Sequence, residues 1–284
     1  MAKPRNKRRR LAPRARAGDA EAQFELASAY DFDRPRNVRS AVGWYRRAAE
    51  QGHAVAQLFL AEILRDGEAG ETDLRAAVKW FRRAADQGDP RAQNALGYAL
   101  FYGEGVRRDR PAALRWYRRA ARQDHDHAQF NLGMMYRNGD VVAKSWKRAI
   151  EWFRKAAAQG NVAAYHWLGR IHGGLGSHPE DTREALKWYR KAAAAGDAQS
   201  QGHLGVHYHN GDGVRRDWKR STTLYRAAAQ GGDEWSMYLL GLCYRDGEGV
   251  HRNRRWARHW LEKAAAQRVK EARRALAQLD AAAS

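Results

Sequence analysis

Cysteine is nearly absent from this 284-residue chain: Cys243 stands alone, so no disulfide can close within it. A cysteine-stapled secreted framework is thereby excluded, and a reducing, cytoplasmic setting is the expectation. No apolar run approaches the ~18 residues that a membrane-spanning helix requires. Also missing are Gly-x-Ser-x-Gly, a P-loop and a dinucleotide fingerprint. The expectation is therefore a protein that is not an enzyme and holds neither cofactor nor metal. What is present is charge and aromatic surface. Lys and Arg number 52 against 32 Asp and Glu, a formal +20, while 44% of residues are hydrophobic and 11% aromatic. That is too much buriable surface for a disordered polyelectrolyte.

Acidic residues are missing altogether from residues 1–17, which carry Lys3, Arg5, Lys7, Arg8, Arg9, Arg10, Arg14 and Arg16. Like charges repel, and Pro4 and Pro13 oppose helix, so the segment reads as a basic disordered tail. The arginine run is followed by no apolar core, so it does not read as an export signal. Two uses stay open: a solubilising leader, or electrostatic attraction to nucleic acid, an anionic surface or an acidic protein.

From residue 18 onward the chain repeats. Trp44, Trp80, Trp116, Trp152, Trp188 and Trp260 fall on a 36-residue comb, with Leu224 in the remaining position, and Ala-Ala follows four residues after each. A second comb runs through Leu60, Leu96, Leu132, Leu168, Leu204, Leu240 and Leu276, each preceded at four residues by Ala or Ser. Leu26 begins it two residues out of step. Two helices per period follow, A carrying the leucine and B the tryptophan. Seven residues before each B-helix comb position stand Asn37, Asp73, Asp109, Ser145, Asp181, Asp217 and Asn253, all residues that cap helix N-termini. Gly52, Gly88, Gly160, Gly196 and Gly232 are placed to end helix B, with Asp124 and Arg268 as exceptions. Leu-Gly pairs such as Leu96-Gly97 set a knob beside a gap on helix A, and the tryptophans with their neighbouring aromatics are expected to fill the space between successive pairs.

The pattern Ala-Gln-x-x-Leu-Gly-x-x-Tyr-x-x-Gly-x-Gly-Val-x-x-Asp, followed by Ala-x-x-Trp-Tyr-x-x-Ala-Ala-x-x-Gly, resembles the Sel1-like repeat, a relative of the tetratricopeptide repeat. The resemblance runs from residue 18 to about 280. It implies an all-α fold, a right-handed α-solenoid of antiparallel helix pairs: seven repeats (18–52, 53–88, 89–124, 125–160, 161–196, 197–232, 233–268) and a capping helix over 269–284. It also implies an interaction scaffold whose inner face, lined by A helices, binds a peptide or protein. By analogy with tetratricopeptide geometry, that groove takes Arg91, Tyr98, Phe101, His127, Phe130, Met134, Arg137, His166, Arg170, His209, Trp235, Tyr238 and Arg245. Aromatics alternating with bases suit an acidic or C-terminal peptide with apolar anchors.

Three local departures stand out. His203, His207 and His209 lie near Asp212, but the first two occupy slots that hold apolar residues in other repeats, so packing is the expected role. Repeat five replaces its turn with residues 172–179, expected to form a flexible loop. Repeat six has Leu224 in place of tryptophan and Ser221-Thr222-Thr223 inside helix B, so the softest interface is expected there.

Overall fold

The computed structural model describes residues 4–34, 36–175 and 181–281. Among these there are sixteen helices and no strand. They are α1 (Pro4–Arg16), α2 (Ala20–Phe32), α3 (Val38–Glu50), α4 (Ala54–Asp66), α5 (Leu74–Asp86), α6 (Pro90–Tyr102), α7 (Arg110–Arg122) and α8 (Asp126–Asn138). The series continues with α9 (Trp146–Ala158), α10 (Val162–His172), α11 (Thr182–Ala194), α12 (Ala198–Asn210), α13 (Trp218–Gln230), α14 (Glu234–Asp246), α15 (Arg254–Ala266) and α16 (Lys270–Ala281). Even-numbered helices from α2 onward are A helices, odd-numbered ones from α3 are B helices, and the fold is an α-solenoid. The chain divides into two compact units, Met1–Lys155 and Ala156–Ser284. Consecutive helices pack together from α1 through α8 in the first and from α10 through α16 in the second, so each element is held by its sequence neighbours.

The helix ends follow from side-chain chemistry. All seven B-helix caps accept a backbone N–H three residues on, from Asn37 with Ser40 at 3.0 Å to Asn253 with Trp256 at 3.0 Å. Each cap residue's own N–H closes the preceding turn onto the last part of helix A, as Asp109 does onto the Leu100 carbonyl at 2.8 Å. Two A helices use caps of a less familiar kind: Nδ1 of His53 and of His125 accepts from the amides of Ala56 and Ala128 at 3.1 and 3.3 Å. Asp124 and Arg268, where the expected glycine is missing, still adopt the left-handed conformation, with φ of 57° and 69°.

Packing assigns the combs different roles. The residue after each B-helix comb position fills the core: Tyr45, Phe81, Tyr117, Phe153, Tyr189, Tyr225 and Leu261 are all buried. The helix A glycine makes room for that ring, since a Cβ on Gly97, Gly133 or Gly169 would stand 2.8, 2.6 or 2.6 Å from Tyr117, Phe153 or Tyr189. Most of the comb tryptophans are instead half-buried, each lying beneath the cation three residues on. Arg47 over Trp44, Arg83 over Trp80 and Arg119 over Trp116 sit at 4.5–4.6 Å from the ring centroid. The expectation that tryptophan fills the interior holds for Trp188 and Trp260, which are buried, and is corrected for Trp44, Trp80, Trp116 and Trp152, whose indoles are platforms at the edge of the core.

A glutamine ladder joins successive repeats in the first unit. Gln23, Gln57 and Gln93, buried on their A helices, donate to the carbonyls of Ala15, Ala49 and Ala85 in the last turn of the preceding helix. Each accepts in turn from Gln51, Gln87 or Gln123 at the end of the next B helix, at 2.8–3.0 Å. Orphan helix-end carbonyls are thereby satisfied inside the stack.

The N-terminus overturns the expected disordered tail. Residues 4–16 form α1, and Leu11 and Ala15 are buried against Ala22 and Leu26 of α2. Leu11, Ala15 and Gly18 repeat the spacing of Tyr45, Ala49 and Gly52, so α1 takes the place of a B helix before the first A helix. Burying that apolar stripe outweighs the charge repulsion, which is relieved further because Arg14 pairs with Asp19 at 2.6 Å and Arg8 donates to the carbonyls of Ala29 and Asp33. Of the repeat-five segment 172–179, residues 176–179 lie outside the described residues.

Candidate functional site

In the first unit the A helices leave a cavity of about 680 Å³. Glu62 and Arg65 of α4, Arg91, Asn94 and Tyr98 of α6, and His125 and His127 at the start of α8 line it, with Leu74, Val78 and Phe81 of α5 beneath and Glu104 from the following turn. Every fourth or third residue of an A helix faces the same way, so consecutive A helices present their variable positions to one space. Tyr98 is 43% exposed and its ring lies at a tilt against Tyr102, with centroids 4.5 Å apart. Burial pushes the Glu62 carboxyl up, while Arg91 and Arg65 draw it down. Arg65 is paired with Asp66 at 2.7 Å, and Asn131 donates to Asn94 at 2.9 Å. The lining is thus mixed in charge, with an exposed Tyr98 phenol and an Arg91 guanidinium that lies 3.9 Å from the Asp89 carboxylate and 5.7 Å from the Phe59 ring centroid.

The other residues expected in a groove have separate surroundings. Phe101 lies under Arg110 at 4.7 Å, Phe130 packs on Phe153 at 5.6 Å, and Arg137 donates to the Met134 sulfur at 3.5 Å. In the second unit His166 is buried, its Nδ1 3.0 Å from the Ser200 hydroxyl and 3.2 Å from the Asp197 carboxylate. Burial would raise the Asp197 carboxyl, but the His166 and Ser200 hydrogen bonds prevail and hold it at about 2. His166 is therefore a brace between α10 and α12. Arg170 covers Trp167 at 4.8 Å, Arg245 pairs with Asp246 at 2.7 Å, and the exposed Trp235 packs at a tilt on the half-buried Tyr238 at 5.1 Å.

Sequence reasoning omitted Glu62, Arg65 and Asn94. The tetratricopeptide rule, five and two residues before each comb leucine and two and five after it, yields all three when applied to every repeat: Glu62 and Arg65 follow Leu60, and Asn94 precedes Leu96. Glu104 escapes it because the residue belongs to a turn.

Histidines and the cysteine also find their places. His203 stacks on Tyr189 at 4.9 Å and the His207 ring nitrogen meets the Asp212 carbonyl at 3.1 Å, so they do not converge as a pair. Burial pushes the Cys243 thiol up to about 11, which leaves it neutral and a poor nucleophile near pH 7. No helix among the described residues is long and apolar enough to cross a membrane.

The Sel1 repeat profile matches residues 20–53, 54–89, 90–125, 126–161, 162–197, 198–233 and 236–269. The chain belongs to the Sel1 repeat family. Among solved structures, this Sel1 repeat chain is similar to a protective antigen of uropathogenic Escherichia coli with an SLR fold, at 35% identity and a TM-score of 0.85 over 96% of the chain. It spans 59% of that antigen's length. A Sel1 repeat protein from Oxalobacter formigenes is 27% identical, with a TM-score of 0.78 over 87% of this chain and 99% of that one. Yeast Tom70, 14% identical with a TM-score of 0.52, shares the fold over 97% of this chain and 57% of its own. No curated protein matches the sequence.

Proposed function

We propose that this Sel1 repeat protein is a non-catalytic scaffold that docks a segment of a partner protein, in a cytoplasmic setting, in the cleft between α4, α6 and the start of α8. The observation that carries this reading is the division of labour on the A helices. Residues common to the repeats are spent on the core, while those that vary between repeats, Glu62, Arg65, Arg91, Asn94 and Tyr98, line one cavity. Tyr98 offers a rigid apolar face with a polar tip, and Arg91 a fork for a carboxylate. The fitting ligand is an extended peptide with an aromatic or aliphatic anchor and an acidic or C-terminal carboxylate for Arg91. Glu62, Asp66 and Glu104 disfavour a uniformly acidic one.

Fluorescence anisotropy with labelled peptides of that design tests the reading. Arg91→Ala combined with Tyr98→Ala is expected to weaken binding at least about tenfold, the loss of one interface hot spot. Equal affinity for both proteins would count against it. The competing reading, attraction of a polyanion to α1 and the basic B-helix faces, predicts that any polyanion competes and that binding collapses between about 50 and 200 mM salt. It is weakened by the intramolecular engagement of Arg8 and Arg14, although Arg9, Arg10 and Arg16 stay exposed.

A further inference from the structure

The second unit contains a cluster of donors unrelated to the cleft. His209 at the end of α12, Cys243 on α14 and Glu248 in the turn after α14 bring a ring nitrogen, the thiol sulfur and a carboxylate oxygen within 4.8 Å of one another. Nε2 of His209 is 3.7 Å from Glu248, and its Nδ1 is buried without a hydrogen-bond partner. Repeat arithmetic shows how particular this meeting is. The same three slots hold Arg65, Ala99 and Glu104 at the junction of repeats two and three, and Phe101, Met135 and Asp140 at the next. At the junction of repeats five and six they hold Gly173, His207 and Asp212. None of those sets offers three donors.

We propose that His209, Cys243 and Glu248 form a three-ligand site for a borderline-soft divalent cation, zinc above all. Zinc takes imidazole nitrogen, thiolate sulfur and carboxylate oxygen at about 2.0–2.3 Å in a tetrahedron whose donors stand about 3.5 Å apart. The present spacing needs to close by roughly 1 Å, which rotation of Glu248 in its turn and of the His209 ring can supply. Water completes the fourth position, and the thiol proton leaves to solvent as the sulfur binds.

Placement gives the ion a purpose. It would clip the A helices of repeats six and seven together where repeat six departs from the pattern: Leu224 replaces the comb tryptophan, and the Ser221 and Ser236 hydroxyls are buried without hydrogen-bond partners. A ligand that binds the folded chain over the unfolded one raises stability by mass action.

The full chain, stripped of metal with a chelator and dialysed, is titrated with Co²⁺ and with Zn²⁺ near neutral pH. One equivalent should bind with a thiolate-to-cobalt charge-transfer band, and zinc should raise the Tm. Losing a direct ligand should cost at least what losing an outer-sphere partner does, about 10-fold to 100-fold in affinity. Cys243→Ser should therefore abolish the band, and Glu248→Gln, isosteric and half-buried in a turn outside the helices, should weaken zinc binding without altering the metal-free Tm or far-UV circular dichroism. His203→Gln should leave both readouts unchanged. A wild-type protein without the band, or zinc affinities equal in wild type, Cys243→Ser and Glu248→Gln, overturns the proposal.

Discussion

At the scale of single residues, the glycines inside helices divide sharply by what their missing Cβ would meet. Gly97 sits against the buried Tyr117 ring, whereas nothing lies within 4 Å of a Cβ built on Gly43 in the exposed middle of α3. An alanine at either site gains about 1 kcal/mol of helix propensity. Only at Gly97 does overpacking of about 1–3 kcal/mol oppose it. Urea denaturation should thus show Gly43→Ala stabilised by about 0.5–1 kcal/mol and Gly97→Ala destabilised by about 1 kcal/mol. Stabilisation of both would mean that the ring is not seated in the glycine gap. The Leu-Gly pair is visible in the sequence as a knob and a gap. The ring that fills the gap lies twenty residues later, on another helix, and only coordinates connect the two.

At the scale of helices, the caps make stability depend on pH. His125 holds the first turn of α8 by accepting at Nδ1, so its protonation removes the cap. Burial pushes its imidazole below the ordinary value of about 6.5. A group depressed on folding stabilises fully above its unfolded value, and that contribution fades as pH falls through the folded one. His125→Asn keeps a capping side chain that does not titrate. Between about pH 7.5 and pH 5, wild type should lose more unfolding free energy than this variant, and parallel losses would contradict the cap assignment. The Asp, Asn and Ser caps were legible in advance because a short polar side chain at fixed spacing has one common use. His53 and His125 were not, since histidine is a rare cap and its role rests on which ring nitrogen faces the amide. Helix α1 was hidden for a different reason: eight positive charges obscure the Leu11, Ala15 and Gly18 spacing that repeats that of Tyr45, Ala49 and Gly52.

At the scale of the whole molecule, repetition explains why the architecture could be read so fully and the site only in part. Residues that recur every 36 positions are those that build each hairpin, and their periodicity announces them. Glu62, Arg91 and Asn94, polar residues that line the cleft, do not recur at that period, so periodicity does not mark them. Arg91 and Tyr98 were reached by positional analogy, yet the same rule also selected His166, which braces Asp197, and Phe130, which packs on Phe153. The +20 charge is similarly divided: many cations lie over tryptophan platforms on the B helices, as Arg83 and Arg119 do while staying exposed. The central claim is that a partner docks on the A-helix cleft and not on the B-helix face. Affinity purification tests it most directly, with full-length wild type, Arg91→Glu/Tyr98→Ala and Arg82→Glu/Arg83→Glu as parallel baits. The account predicts a stoichiometric partner held by wild type and the B-helix variant but lost from the cleft variant; a partner kept by the cleft variant and lost from the B-helix variant would contradict it.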